Sequence, residues 1–567
     1  MIKKHVINSL KQIYAGKIFL VTGAILITLI GLMIWASNKG LDITDESFYF
    51  IGYYFNIETV LPITFFHKIH NVFFGNENLI LARLTRLILT LTSSGFLGYT
   101  SCKFFNFKHK IEGTIFIIIF SFLGFSFYPY AISYNSLTIV FMNLLIGLTF
   151  IYKSKQTLLI PFLIGILTTL LLLTKFPTLF AISLFILLNY GIVYNRKKVK
   201  NVKLGVLTLL SFLVGIIVTC FIVFDSLKDF NHSYENFTKG LFLVKGNYIS
   251  STFTSIYYGF IHILSFSKIY ILASILIILL MNRTKWKYKT LLIIYSLLFI
   301  YALILFRIKI ITEPIGLFIP YFLILAIISF LFFLFKKPFK KRDIIYALFF
   351  ITLPFLISLG SNNSLFVHFI FGGNILGLGI YLLIERLPKE FKTGVICLLS
   401  ITVLFQTSHN IIYKPYRLNT SILEQNYTIT DIPALNNIKV DSALHEFTQK
   451  LSFLQKHPSK RLFLFSDQLG ISLITDKPPF PFYWLEERTL SALKQILNNT
   501  ERINPESLLL IFPTKIKIDK NIRDSFSSVN INFPSDYEII KTIIYKGDTL
   551  NIYSHLMIAN RLDRKIN

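Results

Sequence analysis

IFLVTGAILITLIGLMIWA, residues 18–36, is the stretch on which the fold turns. It contains no charged side chain, and as a helix rising 1.5 Å per residue it covers about 28 Å, close to the hydrocarbon thickness of a bilayer. Ahead of it stand Lys3, Lys4, Lys11 and Lys17 with no acid among them. Basic flanks of this kind stay on the cytoplasmic side, so the N-terminus is expected inside and residue 37 outside. No small-x-small cleavage site follows, and the span is longer than a signal-peptide core, so it reads as retained. Just beyond it comes Ile43-Thr44-Asp45-Glu46-Ser47-Phe48-Tyr49, preceded by Asp42. Carboxylates this close to hydrocarbon are expensive, and they mark a functional site. The plainer reading is that they begin a solvated loop.

The same apolar pattern recurs along the chain. Of 567 residues 54% are hydrophobic and 15% charged, with a mean hydropathy of +0.62. Runs of spanning length lie near 18–36, 79–100, 113–128, 137–152, 157–174, 177–194, 204–224, 268–281, 290–306, 315–335, 344–359, 365–384 and 393–408. The chain therefore reads as a polytopic α-helical membrane protein of about 13 spans. A net charge of +28 does not indicate nucleic acid. The excess sits in short connectors such as Arg196-Lys197-Lys198, Arg283 to Lys289 and Lys336 to Arg342, as positive-inside topology requires. No basic stripe interleaved with aromatics suggests a nucleic-acid groove. Cys102, Cys220 and Cys397 form no CxxC or Cys/His cluster, which argues against a disulfide framework or a structural zinc site.

Alternation from an inside start places 37–78, 129–136, 175–176, 225–267, 307–314 and 360–364 outside, together with everything after about 410. Residues 1–409 are then a transmembrane domain with large outer loops at 37–78 and 225–267. Residues 410–567 change to ordinary polar patterning and read as a small extracytoplasmic α/β domain with its own core and no catalytic group. Within it, Asp441 to Gln455 has helical spacing, and Arg461 to Ser466 and Leu508 to Phe512 read as buried strands. Tyr537 to Tyr545 and Thr549 to Tyr553 read as a hairpin joined by Lys546-Gly547-Asp548.

The first outer loop is too long for a turn and too apolar for free coil. Phe48 to Phe55 and Leu61 to Phe74 have the pattern of amphipathic helices lying in the interface. After Phe73-Phe74-Gly75 the second span opens with Leu81-Ala82-Arg83-Leu84-Thr85-Arg86, placing two guanidinium groups on one helix face. Their forks suit phosphate oxygens, although snorkelling to headgroups would also place them there. Lys175, in Leu173-Thr174-Lys175-Phe176-Pro177, stands at an outward turn, as an interfacial anchor or facing a substrate phosphate. His67 and His70, at i and i+3, have no third metal ligand nearby, and one of them, with Tyr49, is a candidate substrate contact. The 225–267 loop, with His232, Tyr234, Glu235 and His262, is the outer loop expected to cover the site. Gly360-Ser361-Asn362-Asn363 is a polar outward turn.

An Asp-Glu pair after the first span, a Phe-Gly then Arg-Leu start to the second, and a Thr-Lys-x-Pro turn together resemble the GT-C membrane glycosyltransferases. The nearest likeness is to the protein O-mannosyltransferases and the aminoarabinose transferase of lipid A. The resemblance covers roughly residues 15–230. It implies a polyprenyl-phosphate-linked sugar as donor, Asp45 as the catalytic or metal-associated acid with Glu46 beside it, and Lys175 near the donor phosphate; Arg83, Arg86, Tyr49 and His67 are further donor-binding candidates on their own residue chemistry. Ser47-Phe48 before the Tyr and Arg86 in place of a small residue depart from the family pattern. The sequence leaves open whether a divalent cation (Mg or Mn) bridges Asp45 and the phosphate, and whether the acceptor is a glycan, a lipid or a protein.

The chemistry suits these residues without the name. A partly desolvated carboxylate serves as general base for an acceptor hydroxyl. Arg or Lys offsets charge developing on the departing phosphate. Displacement without a covalent intermediate inverts the anomeric centre. The expected enzyme is therefore an inverting glycosyltransferase of the bacterial cytoplasmic membrane. A lipid-linked glycan polymerase or ligase is a neighbouring reading, and a transporter or flippase is the rival from another class.

Overall fold

A computed structural model describes residues 2–75, 78–126, 130–194, 202–244, 340–357, 370–387, 389–483, 487–498 and 504–558, with Tyr257 and Leu485. The chain opens with α1 (Ile2–Ala36), followed by two short helices, α2 (Asp45–Tyr54) and α3 (Thr64–Phe74). Then come α4 (Leu79–Phe104), α5 (Lys110–Ser121), α6 (Tyr134–Ser154), α7 (Leu159–Thr174), α8 (Thr178–Tyr194), α9 (Val202–Val223) and α10 (Leu227–Val244). After an interval come α11 (Lys341–Ile357), α12 (Gly373–Ile384) and α13 (Lys389–Tyr413).

Five stretches among the described residues are long and apolar enough to cross a membrane: Ile18–Ala36, Leu79–Phe104, Tyr134–Ser154, Val206–Val223 and Lys392–Tyr413. Leu159–Thr174, Thr178–Asn189 and Gly373–Ile384 are apolar but shorter. The molecule thus has the helices of a membrane protein, with a small C-terminal sheet region. The expected spans at 268–281, 290–306 and 315–335 lie outside the described residues, as do His262 and Gly360–Asn363.

Apolar helices gain little from hydrophobicity when they associate in lipid, so small residues that allow close approach carry the packing. Helices α7 and α9 show it. A Cβ added at Gly165 would lie 2.2 Å from the Phe212 carbonyl oxygen, and one at Gly215 would lie 2.2 Å from that of Phe162. Each glycine thus receives the backbone of the other helix. Gly215→Leu is expected to force the pair apart and to destabilise the protein by at least the ~1–3 kcal/mol typical of overpacking. A thermal transition in detergent checks this, and an unchanged midpoint would show that the helices do not cross there.

The C-terminal region carries a two-stranded ladder, β1 (Tyr427–Thr428) with β2 (Lys439–Val440). Its main sheet has the order β3 (Arg461–Leu464), β4 (Leu508–Pro513), β6 (Asp548–His555), β5 (Tyr537–Tyr545). Strands β3 and β4 are parallel, and the other two pairings are antiparallel. The β5–β6 hairpin turns at Lys546 (φ 51°) and Gly547 (φ 81°), the left-handed pair that matches strand twist in a tight hairpin. Asp441 caps the helix Ser442–Leu451 through the Leu444 amide, so the helix, both strands and the hairpin stand where the residue patterns place them.

This region does not bury a core of its own alone. Leu462, Phe463, Leu510 and Ile552 share one continuous apolar cluster with Leu41, Ile43, Phe50, Ile51, Tyr53 and Leu61 of the first loop. Backbone hydrogen bonds seal the union. The Gly40 amide donates to Lys439, Lys439 to Asn38, Gly470 to Ile43 and Val60 to Pro481. Helix α2 is consequently enclosed between the helical bundle and the sheet region instead of lying open in the interface, with Glu46, Ser47, Tyr49, Phe50, Ile51, Gly52 and Tyr53 all buried. Apolar residues on both faces of a short helix have no stable place on a bilayer surface, and a second layer covers them here.

Candidate functional site

The site begins with the turn that starts α2. Asp42 accepts hydrogen bonds from the Thr44 amide (2.8 Å), the Thr44 hydroxyl (2.5 Å) and the Glu46 amide (3.2 Å). Its own carbonyl accepts from the Ser47 hydroxyl. Free amides at a helix start need such acceptors, so Asp42 builds the end of α2 from which Asp45 and Glu46 project. Burial, then the neighbouring charge of Asp45, push its carboxyl from 3.8 up to about 6, against the opposing hydrogen bonds from Thr44. A carboxyl raised on folding disfavours the ionised native state. Its effect on stability is therefore most favourable below pH 3.8, declines as pH rises toward 6, and is level above. The difference is at most about 3 kcal/mol. Asp42→Asn is expected to flatten the stability profile between pH 4 and 6. An identical slope in both proteins would mean that Asp42 titrates normally.

Glu46 and Arg83 form a closed pair. Arg83 Nε donates to Glu46 Oε1 at 2.9 Å and Nη2 to Oε2 at 2.5 Å. The remaining donors reach the carbonyls of Ser37 (2.9 Å), Lys39 (3.2 Å) and Gly40 (2.8 Å). Glu46 Oε1 also accepts from the Ala131 amide at 3.0 Å. Both side chains are buried, at 2% exposure. A buried ion pair is tolerated when every donor and lone pair is occupied, and this one meets that condition on the guanidinium side. Arg83 therefore has no donor left for a phosphate in this arrangement. It clamps α4 to α2 and to the loop that leaves α1. Arg86 likewise turns inward, donating to the Gly124 carbonyl (2.9 Å) with its guanidinium 4.4 Å from the Phe125 ring centre. The donor-phosphate role expected for both arginines is not the one this geometry gives them, because Glu46 and the loop after α1 engage Arg83, and carbonyls and a ring of the segment before α6 engage Arg86.

Asp45 is placed differently. Its side chain is 36% exposed. Tyr416 Oη donates to Asp45 Oδ2 at 2.7 Å, and Arg417 Nη2 stands 3.4 Å from the same oxygen. Arg417 also donates to the Thr44 hydroxyl at 3.0 Å and, through Nε, to Tyr416 Oη at 3.1 Å. Of the two adjacent acids, Glu46 is sealed and Asp45 is accessible. A helix imposes that split, since neighbours point about 100° apart around its axis. Asp42, Glu46, Arg83, Tyr130, Gly40, Tyr416 and Leu418 line a small pocket of ≈ 10 Å³, room for about one water.

The remaining candidates lie around this centre. Tyr49 is buried, packed edge-on against Phe66 and Tyr134. Lys175 is buried too, and donates to Asn135 Oδ1 (3.1 Å) and the Ile357 carbonyl (2.8 Å), with the Tyr134 ring centre 5.6 Å away. It does not line the pocket; its link to α2 among the described residues runs through the Tyr134–Tyr49 contact. Among the described residues Asp45 and Lys175 therefore do not line the pocket that Arg83 lines. His67 lies so close to Gly52 that a Cβ there would come within 2.2 Å of the ring, and its Nδ1 is 3.3 Å from the Thr59 hydroxyl. His70 stacks on Tyr53 at 3.6 Å. Burial pulls both imidazoles down to about 3, so both are neutral packing groups at physiological pH. Among the described residues no group of three His, Cys, Asp or Glu is placed to hold a metal ion.

Tyr130, Tyr416 and Arg417 were not singled out by their sequence. Tyr416 and Arg417 follow the last apolar run, on the same expected side as Asp45, and that shared side is the one signal that could have paired them. Compared with models of known protein families and with curated proteins, the chain matches none.

Proposed function

We propose that the chain is an inverting glycosyltransferase that moves a sugar from a polyprenyl-phosphate donor to an acceptor hydroxyl at the outer face of a cell membrane. In this reading the N-terminus is cytoplasmic, and the first loop and C-terminal region are extracytoplasmic. The observation that carries it is the division of labour within Asp45-Glu46. Glu46 is spent on Arg83, while Asp45 stands accessible at the start of the same helix. A rigidly held helix end that presents one carboxylate is what a general base needs.

The acceptor hydroxyl gives its proton to Asp45 as its oxygen bonds to the anomeric carbon. The bond from that carbon to the phosphate oxygen breaks, and its electron pair departs on polyprenyl phosphate. Attack opposite the leaving group inverts the centre. The pocket has room for about one water and Asp45 does not line it, so the sugar is received on the exposed side of Asp45, beside the pocket. The acceptor class, glycan, lipid or protein, is set by the partner that reaches Asp45, and a divalent cation is not needed for the step as written.

The test is transfer in liposomes from a panel of polyprenyl-phosphate sugars, paired with mass analysis of envelope glycans with and without the protein. Transfer dependent on Asp45 supports the reading. No transfer from any donor together with unchanged glycans overturns it. Movement of lipid-linked sugar across the bilayer without bond cleavage would establish the flippase reading instead.

A further inference from the structure

The cations expected to meet the donor phosphate are otherwise engaged. Arg83 has all five N–H groups on Glu46 and three backbone carbonyls. Arg86 is turned onto Gly124 and Phe125, and Lys175 onto Asn135 and the Ile357 carbonyl. One guanidinium near Asp45 is exposed, and its hydrogen bonds go to two hydroxyls, Thr44 at 3.0 Å and Tyr416 at 3.1 Å, instead of to a carboxylate or carbonyl. Arg417 is 42% exposed, and its contact with Asp45 is 3.4 Å long between two part-exposed groups. Such surface pairs are weak and readily exchanged.

The segment that carries Arg417 is firmly seated. Tyr416 and Leu418, on either side of it, both line the pocket. Leu418 fills the space above Gly40, where an added Cβ would lie 2.3 Å from it. Arg417 itself adopts φ 56°, a left-handed conformation uncommon for a residue with a Cβ. An anchored backbone with an exposed guanidinium that no close carboxylate neutralises, one residue from the pocket wall on both sides, is the arrangement of an anion-binding arm.

We propose that Arg417, supplied by the segment joining α13 to the C-terminal region, binds the phosphate of the lipid-linked donor and releases Asp45 as it does so. This rests on the glycosyltransferase reading. A phosphate offers two oxygens to the planar fork, where Asp45 offers one at the edge of contact. As the guanidinium moves to the phosphate, Asp45 keeps Tyr416 and loses the cation that neutralised it. The base is then free when a donor is present and paired when none is. Charge that collects on the departing phosphate meets Arg417.

The experiment uses the full chain in nanodiscs, with polyprenyl phosphate lacking any sugar as probe. Arg417→Gln is expected to weaken binding about 10- to 100-fold, and Arg417→Lys less, because the charge remains but the fork is lost. In the unaltered protein, polyprenyl phosphate is expected to protect Arg417 from an arginine-specific dicarbonyl reagent, and phosphatidylglycerol at equal concentration is not. The protection measurement decides the matter where a variant does not fold. Unaltered protein that binds no polyprenyl phosphate overturns the donor reading itself. Binding that is equal in Arg417→Gln, or Arg417 labelled equally with and without bound probe, overturns the role of Arg417 alone. Equal protection by phosphatidylglycerol overturns it in favour of a general headgroup contact.

Discussion

Turnover of Asp45→Asn is expected to fall by a hundredfold or more, the range in which a lost general base shows itself. The substitution is conservative in shape. The remaining carbonyl oxygen can still accept from Tyr416 Oη, which lies 2.7 Å from the carboxylate in the native site. What disappears is the negative charge and the capacity to take a proton at working pH. Donor affinity is expected not to fall, because the proposed phosphate partner is Arg417 and the lost Asp45 charge is only a weak competitor for it. The assay is sugar transfer in liposomes beside a separate binding measurement. A fall in transfer with unchanged binding places the loss in the transition state. Near-normal transfer would remove Asp45 from the chemistry and make Asp42, with its carboxyl raised to about 6, the next acid to replace.

Arg83→Ala is expected to act on the whole molecule. It leaves the Glu46 carboxylate buried at 2% exposure with one amide partner, Ala131, and no counter-charge. It also strips the carbonyls of Ser37, Lys39 and Gly40 of the guanidinium they share. Breaking a buried pair from one side typically costs about 3–5 kcal/mol, a large part of the stability of most folds. The expected result is loss of folded protein on extraction, or a steep fall in the thermal midpoint. Glu46→Gln combined with Arg83→Met should recover part of that loss, because no bare charge then remains. Full stability in the Arg83→Ala protein would show that water reaches Glu46 and that the clamp is not closed. The contrast with Asp45→Asn is informative. The two variants should fail for different reasons, Asp45→Asn in chemistry and Arg83→Ala in folding.

Much of this was legible in the chain. An apolar run long enough to cross a bilayer is a local property, so Ile18–Ala36, Leu79–Phe104 and Tyr134–Ser154 could be read from hydropathy and flanking lysines alone. The β5–β6 hairpin was legible for a similar reason, since Lys546-Gly547 sets the turn within the segment it joins. The place of the acids, just beyond the first span, was legible too. Their roles were not. Three carboxylates within five positions present the same chemistry to any reading of sequence. Folding separates them by burying Asp42 against amides, closing Glu46 on an arginine 37 residues away and leaving Asp45 to a tyrosine 371 residues away. The arginines were ambiguous in the same way. Spacing put Arg83 and Arg86 on one helix face, but only the packed carbonyls of other segments decided that both turn inward. The covering of α2 by the C-terminal sheet was equally hidden. Apolar patterning says that a face must be buried, while the partner that buries it is chosen by the shape and order of the whole fold.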